Sequence, residues 1–198
     1  MPKTSAFTTD ELLDKALHQF WVNGYHALSI DDLIKATGLS RHGIYTSFGG
    51  KKQLFLACFD RYQDQVVTPA FSVVEASGAS LQSIAVYFGY QITRGEAAGL
   101  PGPGCFVANS STEVAPHDDD VMSKVNEHNQ RLYNGFYQAI SNELAGNAQF
   151  TPQTAQELAQ IAVTFTNGLW SMSRTVTDAE LLRLSVMRFL NMIASAGQ

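Results

Sequence analysis

Apolar residues recur every three to four positions along most of the 198-residue chain, and strand-like alternation is nearly absent. The first apolar face consists of Leu12, Leu13, Ala16, Leu17, Phe20 and Trp21. A capping-box spacing from Thr8 to Glu11 precedes this face, and Gly24 follows it, which predicts a helix over about 9–23. The pattern therefore predicts an all-α protein.

Capping and stop signals divide the rest of the chain into further helices. Ser29 and Gly38 bound a short second helix, and Ser40 caps a third that ends near Ser47. Six later periodic segments predict helices over about 51–75, 80–96, 105–114, 118–145, 152–174 and 178–195. Pro69 is expected to kink or end the first of these six. About nine helices and no sheet are predicted.

The net charge of −5 is unevenly distributed along the chain. Residues 1–52 carry six Lys/Arg and five Asp/Glu, a net +1, whereas the remaining 146 residues carry seven and thirteen, a net −6. An acidic surface repels nucleic acid, so only the N-terminal segment is suited to bind it. The charge balance therefore divides the chain after residue 52.

Targeting signals are not evident in the sequence. The N-terminus has no apolar run with basic flanks, and the longest uncharged stretch, 76–93, is interrupted by Ser, Gln and Gly. Cys58 and Cys105 are too few for a disulfide framework, which fits a reducing compartment. We expect a cytoplasmic protein with no membrane contact.

The segment TGLSRHGIYTSFGGK, residues 37–51, contains two turn signals, Gly38 and Gly49-Gly50. The short second helix precedes the first turn, and the helix capped by Ser40 lies between the two turns. This arrangement predicts a helix-turn-helix, whose second helix enters the DNA major groove. If Ile44 is buried, the helical period places the polar side chains of this helix on the outer side. The candidate DNA-binding residues are Ser29, Arg41, His42, Tyr45, Thr46 and Lys51. The alternative is a packing unit whose outer residues are merely solvated.

Residues 20–60 resemble the N-terminal domain of TetR-family transcriptional regulators. The family pattern is Gly-Leu-Ser, three variable residues, Ile-Tyr, two more, Phe, two more, then Lys. This chain fills it with Gly38, Leu39, Ser40, Ile44, Tyr45, Phe48 and Lys51. Gly43 departs from the family, since most members have a better helix former there; glycine costs about 1 kcal/mol of helix propensity.

The resemblance implies a repressor that binds a double-stranded, palindromic operator as a homodimer. It implies a DNA-binding domain over 1–52 and an effector-sensing, dimerising domain over 53–198. It also implies that the last two helices pack against those of the partner. Apolar candidates for that interface are Leu158, Ile161, Ala162, Phe165, Leu169, Leu181, Leu184, Met187, Leu190 and Ile193. The same residues are equally suited to an intramolecular core.

Cys105 follows the Gly- and Pro-rich loop 99–104 and opens a predicted helix. Unpaired N–H groups in a first helical turn favour a reactive thiolate, although free cysteine is also a common buried filler. Residues 101–121 resemble a TetR subgroup that includes an N-ethylmaleimide- and quinone-responsive repressor. That resemblance implies that Cys105 is a redox or electrophile switch, with Arg174 as a conceivable thiolate partner.

The second domain is rich in aromatic residues, which predicts a pocket for a small apolar effector or, alternatively, ordinary core packing. The candidate effector and sensor residues are Cys105, Phe106, Asn109, Tyr137, Trp170 and Arg174. Residues 117–120 and His128 resemble metal ligands, but helix capping explains the acids. We expect no metal and no cofactor.

Two other classes of protein are compatible with the sequence. A thiol-dependent enzyme would use Cys105 as its nucleophile, and a helical interaction module would have a helix-turn-helix that no longer binds DNA. The chain has no Gly-x-Ser-x-Gly, phosphate loop, dinucleotide fingerprint or Cys-x-x-Cys. We therefore predict a regulator and not an enzyme.

Overall fold

The computed structural model describes residues 8–145 and 151–196, and these residues are helical without strands, which confirms the predicted class. The helices are α1 (Thr9–Asn23), α2 (Ile30–Thr37), α3 (Arg41–Phe48), α4 (Lys51–Tyr62), α5 (Thr68–Glu75), α6 (Leu81–Ala98), α7 (Phe106–Glu113), α8 (Asp119–Leu144), α9 (Pro152–Met172) and α10 (Ala179–Ser195). A π-helical turn, Gln63–Val67, continues α4 into α5, and a 3₁₀ turn, Ala115–His117, precedes α8. With α4 and α5 counted as one, the described residues form the nine predicted helices.

The first three helices begin and end at the residues that the capping signals indicate. Ser29 accepts the N–H of Asp32 at 3.2 Å, and the Asp32 carboxylate accepts the N–H of Ser29 at 3.0 Å, so both members of a capping box are present. Gly38 and Gly49 adopt left-handed conformations, with φ of 77° and 84°, and end α2 and α3.

Pro69 does not end the helix that contains it. Helical backbone runs from Lys51 to Glu75, and the interruption takes the form of the π-helical turn that ends two residues before the proline. A proline ring clashes with the carbonyl four residues earlier and cannot donate to it. The π-helical turn shifts the hydrogen-bonding register at that point, so the backbone accommodates Pro69 without a break.

The first compact unit consists of Met1–Val67 and Cys105–Val125. Its described part contains α1 to α4, α7 and the start of α8. An aromatic cluster forms its core: the Phe55 ring lies 5.0 Å from that of Phe20 and 5.3 Å from that of Phe106, and the Phe59 ring lies 4.8 Å from that of Phe106. These edge and tilted contacts join α1, α4 and α7 into one packed body.

The second compact unit consists of Thr68–Gly104 and Asn126–Gln198. The Phe88 ring on α6 is central to it, with the rings of Phe165 and Trp170 at 5.8 and 6.0 Å. At Gly135 a Cβ would lie 2.7 Å from the Phe71 ring, so only glycine permits this close approach of α8 to α5.

The compact units do not coincide with the predicted segments 1–52 and 53–198. The difference arises because α4 and α7 bury aromatic side chains against α1, whereas the sequence-based boundary lies within the first turn of α4. The boundary after residue 52 stays a prediction about function rather than about packing. None of the described helices is both long and apolar enough to cross a bilayer.

Candidate nucleic-acid interface

The helix α3 is attached to the first unit by one apolar face. Ser40 caps the helix by accepting the N–H of Gly43 at 3.0 Å, and Ile44 is fully buried beneath it. Arg41, His42, Tyr45 and Thr46 are all exposed, and Tyr45 has 52% of its surface accessible. The structure therefore gathers four of the six predicted DNA-binding residues on the outer side of α3.

Two of these four side chains already have a protein partner. The Arg41 Nη2 donates to Asp31 Oδ1 at 2.8 Å, and the Thr46 hydroxyl donates to the His42 carbonyl within the same helix at 2.9 Å. Both groups of the Arg41–Asp31 pair are more than half exposed, so its bond contributes little to stability and is easily exchanged for a phosphate or a base.

Ser29 lies at the N-terminus of α2, where its hydroxyl is used for capping. It donates to Asp32 Oδ2 at 2.6 Å while accepting the Asp32 N–H. Ser29 is therefore exposed, but its hydroxyl group is already hydrogen-bonded. Contact between Ser29 and DNA stays a prediction.

The ammonium group of Lys51 already has partners within the protein, unlike that of a lysine that is free to bind a DNA phosphate. Its Nζ donates to the Leu28 carbonyl at 2.5 Å and lies 4.2 Å from the centroid of the Tyr25 ring. Burial lowers the pKa of Lys51, and the nearby Glu113 carboxylate opposes this shift more weakly. The phosphate contact stays a prediction, and it requires the ammonium group to share or exchange its carbonyl bond.

Two acidic residues at the start of α8 bind a lysine side chain. Lys52 Nζ lies 2.8 Å from Asp118 Oδ2 and 2.7 Å from Asp120 Oδ2. These bonds raise the pKa of Lys52 and lower that of Asp118. Over the described ranges, no group of three or more His, Cys, Asp and Glu residues is arranged to hold a metal ion.

Cys105 is the N-cap of α7 and is buried, with 6% of its surface exposed. The Tyr62 hydroxyl donates to its sulfur at 3.4 Å. Burial raises the pKa of the Cys105 thiol; the bond from Tyr62 and those from the backbone N–H groups of Ala108 and Val107 act in the opposite direction. The positive helix end is present as the sequence indicated, but desolvation outweighs it.

Of the other predicted effector residues, two lie beside Cys105 in the first unit. Phe106 is part of the aromatic core, and Asn109 is half-buried. Cys58 is also buried, as expected for a core residue, and burial raises its pKa.

The remaining three predicted effector residues belong to the second unit. The Tyr137 ring stacks on that of Tyr133 with centroids 6.2 Å apart, and Trp170 contacts Phe88. Arg174 lies against the loop end: a Cβ on Gly104 would be 2.8 Å from Arg174 Cγ. The six candidates are thus divided equally between the two units.

A groove of about 300 Å³ lies between α6 and α10 in the second unit. It is lined by Ala85, Gly89, Ile92, Arg183, Val186, Met187, Leu190 and Asn191. Arg183 binds Glu180 at 2.7 Å and also pairs with Glu96. None of the predicted effector residues lines this groove, which sequence periodicity could not distinguish from packed core.

The N-terminal region matches a known family. Residues 12–58 match the family described as bacterial regulatory proteins, tetR family. These residues include α2, α3 and the whole outer face of α3, so the match covers the surface on which the predicted DNA-binding residues lie.

Two curated proteins are similar in sequence. The HTH-type transcriptional repressor ComR of Escherichia coli (strain K12) is 33% identical over 122 residues, which cover 61% of this chain and 58% of ComR. The uncharacterized HTH-type transcriptional regulator YezE of Bacillus subtilis (strain 168) is 26% identical over 144 residues, 71% of this chain and 72% of YezE. The match to ComR thus spans less than two thirds of that repressor. Both relatives are regulators rather than enzymes, as predicted for this chain.

The fold is similar to a solved regulator. The TetR family transcriptional regulator CifR, as a cysteine mutant complexed with 26 bp double-strand operator DNA, superposes with a TM-score of 0.80 at 22% identity. The match covers 96% of this chain and 98% of that one. At this identity the similarity establishes a TetR-like fold.

Proposed function

We propose that this chain is a DNA-binding transcriptional repressor of the TetR family, because residues 12–58 match that family and the fold is TetR-like. It binds a palindromic operator as a homodimer in the cytoplasm, and a small effector or an electrophile releases it. The outer face of α3 is the observation that carries this proposal.

The outer face of α3 is suited to contact with duplex DNA rather than to packing within the subunit. Ile44 anchors the helix, while a guanidinium, an imidazole and two hydroxyl groups point to solvent from Arg41, His42, Tyr45 and Thr46. Arginine and hydroxyl groups form hydrogen bonds with base edges and phosphates in the major groove. An exposed tyrosine ring also offers apolar contact to thymine methyl groups.

The exposed apolar side chains of α9 and α10 support the dimer. Ile161, Leu181 and Leu184 are each about half exposed, whereas Ala162, Leu169 and Ile193 are buried within the subunit. Large apolar side chains clustered on neighbouring surface helices mark a protein interface. Of the ten candidates, three are therefore buried, three are half-buried and four are exposed. The exposed four, Ile161, Leu181, Leu184 and Met187, are available to a second copy.

The effector part of the proposal has two forms. A small apolar molecule would bind in the second unit, whose aromatic side chains include Tyr137 and Trp170. An electrophile would instead modify Cys105; because that thiol is buried beside Tyr62, its reaction requires local opening around α7.

The proposal is tested by selecting bound duplexes from a random pool with the purified protein. We expect a palindrome whose half-sites are centred one helical turn apart, about 34–36 Å. The Tyr45→Ala variant should lose most of this enrichment without losing its fold, because Tyr45 is largely exposed. A pool that shows no enrichment would instead favour the interaction module.

Salt dependence gives a second measure of the same binding. Few basic side chains are available on each subunit, so the number of phosphates neutralised is small. We expect log K to fall by about 0.9 per phosphate contacted as log salt rises, with a modest total slope. Binding that is insensitive to salt would contradict contact with the DNA backbone.

A further inference from the structure

A carboxylate on α7 holds the connection between α1 and α2. Glu113 Oε2 accepts the backbone N–H of Tyr25 at 3.0 Å, and Oε1 accepts that of His26 at 2.8 Å. The two bonds span 88 and 87 residues of sequence within the first unit. The connection leads directly into α2, so these bonds act on the segment from which the helix-turn-helix begins.

Gly24 lies directly against the Glu113 carboxylate. Its φ of +83° favours glycine, and a Cβ at this position would lie 2.8 Å from Glu113 Oε2. The backbone conformation therefore favours glycine at the end of α1, and any larger residue there would also displace the Glu113 carboxylate. The fit between Gly24 and Glu113 indicates a specific contact.

The position of Glu113 is not explained by the stability of its own helix. Glu113 is the last residue of α7, where the helix dipole presents its negative end. An acidic side chain is disfavoured there and a basic one is favoured. The two tertiary hydrogen bonds are what offset this unfavourable placement.

A lysine side chain binds a carbonyl group of the same connection. Lys51, the first residue of α4, donates to the Leu28 carbonyl, and its ammonium group lies over the Tyr25 ring. Two N–H groups of the connection are thus bound by Glu113 from α7, and one of its carbonyls is bound by Lys51 from α4. This arrangement fixes the backbone itself, whatever its side chains do.

We propose that Glu113 is a positioning residue for operator binding. The inference rests on the proposed function of α3. By fixing the backbone of Tyr25 and His26, Glu113 makes α7 set where α2 and α3 lie relative to α1. Both bonds are close to the ideal length, so a displacement of α7 by about 1 Å would break them.

The Glu113→Gln variant tests this inference by whether operator affinity falls or rises. The substitution removes a negative charge, which alone strengthens binding to DNA. It also leaves one amide oxygen to serve two N–H groups, which releases the connection. We expect operator affinity to fall about tenfold, while affinity for a scrambled duplex is unchanged or rises.

The matched control is Asp119→Asn, which removes the same charge from an exposed position in the same unit. Its operator affinity should be unchanged or higher. Glu113→Asp keeps the charge but withdraws the carboxylate by one methylene, and an intermediate loss is expected. The inference is overturned if Glu113→Gln binds the operator as tightly as Asp119→Asn does.

Hydrogen exchange of the Tyr25 and His26 amides separates this inference from the proposed function. In Glu113→Gln these two amides should exchange at least about tenfold faster, while the interior of α1 stays protected and shows that the protein is folded. Unchanged exchange would refute the role of Glu113 even if DNA binding is found. If the wild-type chain binds no DNA, the proposed function fails, and exchange still decides whether Glu113 holds the connection.

Discussion

Arg61 binds Asp14 through two parallel hydrogen bonds, with Nε 2.6 Å from Oδ1 and Nη2 2.8 Å from Oδ2. A third bond joins Arg61 Nη1 to Asp10 at 3.0 Å. Only 15% of the Arg61 side chain is exposed, whereas 49% of the Asp14 side chain is, so a partly solvated ion pair ties α4 to α1. The fork of a guanidinium group matches the carboxylate, and an ammonium group cannot reproduce both bonds.

We expect Arg61→Lys to destabilise the protein by about 1 kcal/mol in urea unfolding. The exposed Arg188, changed in the same way to Lys, serves as the control and should have no effect. The bonds from Arg61 hold the pKa of Asp14 below its usual value of 3.8. The stabilisation is therefore complete at neutral pH and is lost as pH falls below that value. Equal stability of both variants would contradict a role for this pair.

Leu184→Glu should convert the protein to monomers, because Leu184 is half exposed on α10 and the change places a charge in the proposed interface. Light scattering after gel filtration measures the mass. Val22→Glu, at an equally exposed apolar position on α1, is the control and should stay dimeric. A wild-type chain that is monomeric at micromolar concentration would refute the dimer directly.

Gly43→Ala should stabilise the protein by about 0.5–1 kcal/mol, since alanine has the higher helix propensity. Gly43 has no positive φ, and a Cβ there would contact Leu39 and Ser40 at 3.4 Å, an ordinary packing distance. Thermal unfolding measures the gain. A lower melting temperature would mean that α3 requires glycine for a reason other than its helical conformation.

His128 should make the protein less stable in mild acid. Burial lowers its pKa to about 4, with a smaller contribution from Arg131, whereas the unfolded residue titrates near its usual value of 6.5. Between these values the unfolded chain binds the extra proton, so the contribution of His128 to stability falls as pH drops from 6.5 to 4 and changes no further below 4. The loss is at most about 3 kcal/mol.

The measurement for His128 is urea unfolding at several pH values within that window. His128→Gln cannot titrate, so its stability should depend less on pH than that of the wild type, whatever its stability at neutral pH. Parallel pH profiles for the two proteins would show that other groups cause the acid sensitivity.

Cys105→Ser should leave operator binding intact and abolish release by N-ethylmaleimide. Because burial raises the pKa of Cys105, alkylation of the native protein at pH 7 should be slower than that of an exposed thiol and should accelerate with pH. The Cys58→Ala variant is the control and should still be released. If Cys105→Ser is released as readily as the wild type, Cys105 has no part in sensing.

Local signals predicted much of this molecule. The sequence predicted the ends of α2 and α3 from the capping residues Ser29 and Ser40 and from the glycines that follow each helix. This was possible because a helix end depends on residues within four positions of it. The outer face of α3 followed from the helical period once Ile44 was assigned to the core.

The contacts that sequence reasoning missed are long-range. Tyr62 beside Cys105 and Glu113 beside Tyr25 are 43 and 88 residues from their partners, and no periodicity records such pairs. Burial of Cys105 reversed the balance that its helical position suggested. The one available signal for Glu113 was an acid at the C-terminal end of a short helix, where charge and dipole disagree.

The first unit is built from two separate segments of the chain, which restricts how this protein can be divided into folded fragments. A fragment that ends at Val67 would lack Phe106 from its core and Glu113 from the connection before α2. Grafting the proposed DNA-binding unit onto another protein would therefore require residues 105–125 together with residues 1–67, with a linker in place of the 37 residues between them. Modularity in this protein follows the packing, and the order of residues along the chain is a poor guide to where it can be cut.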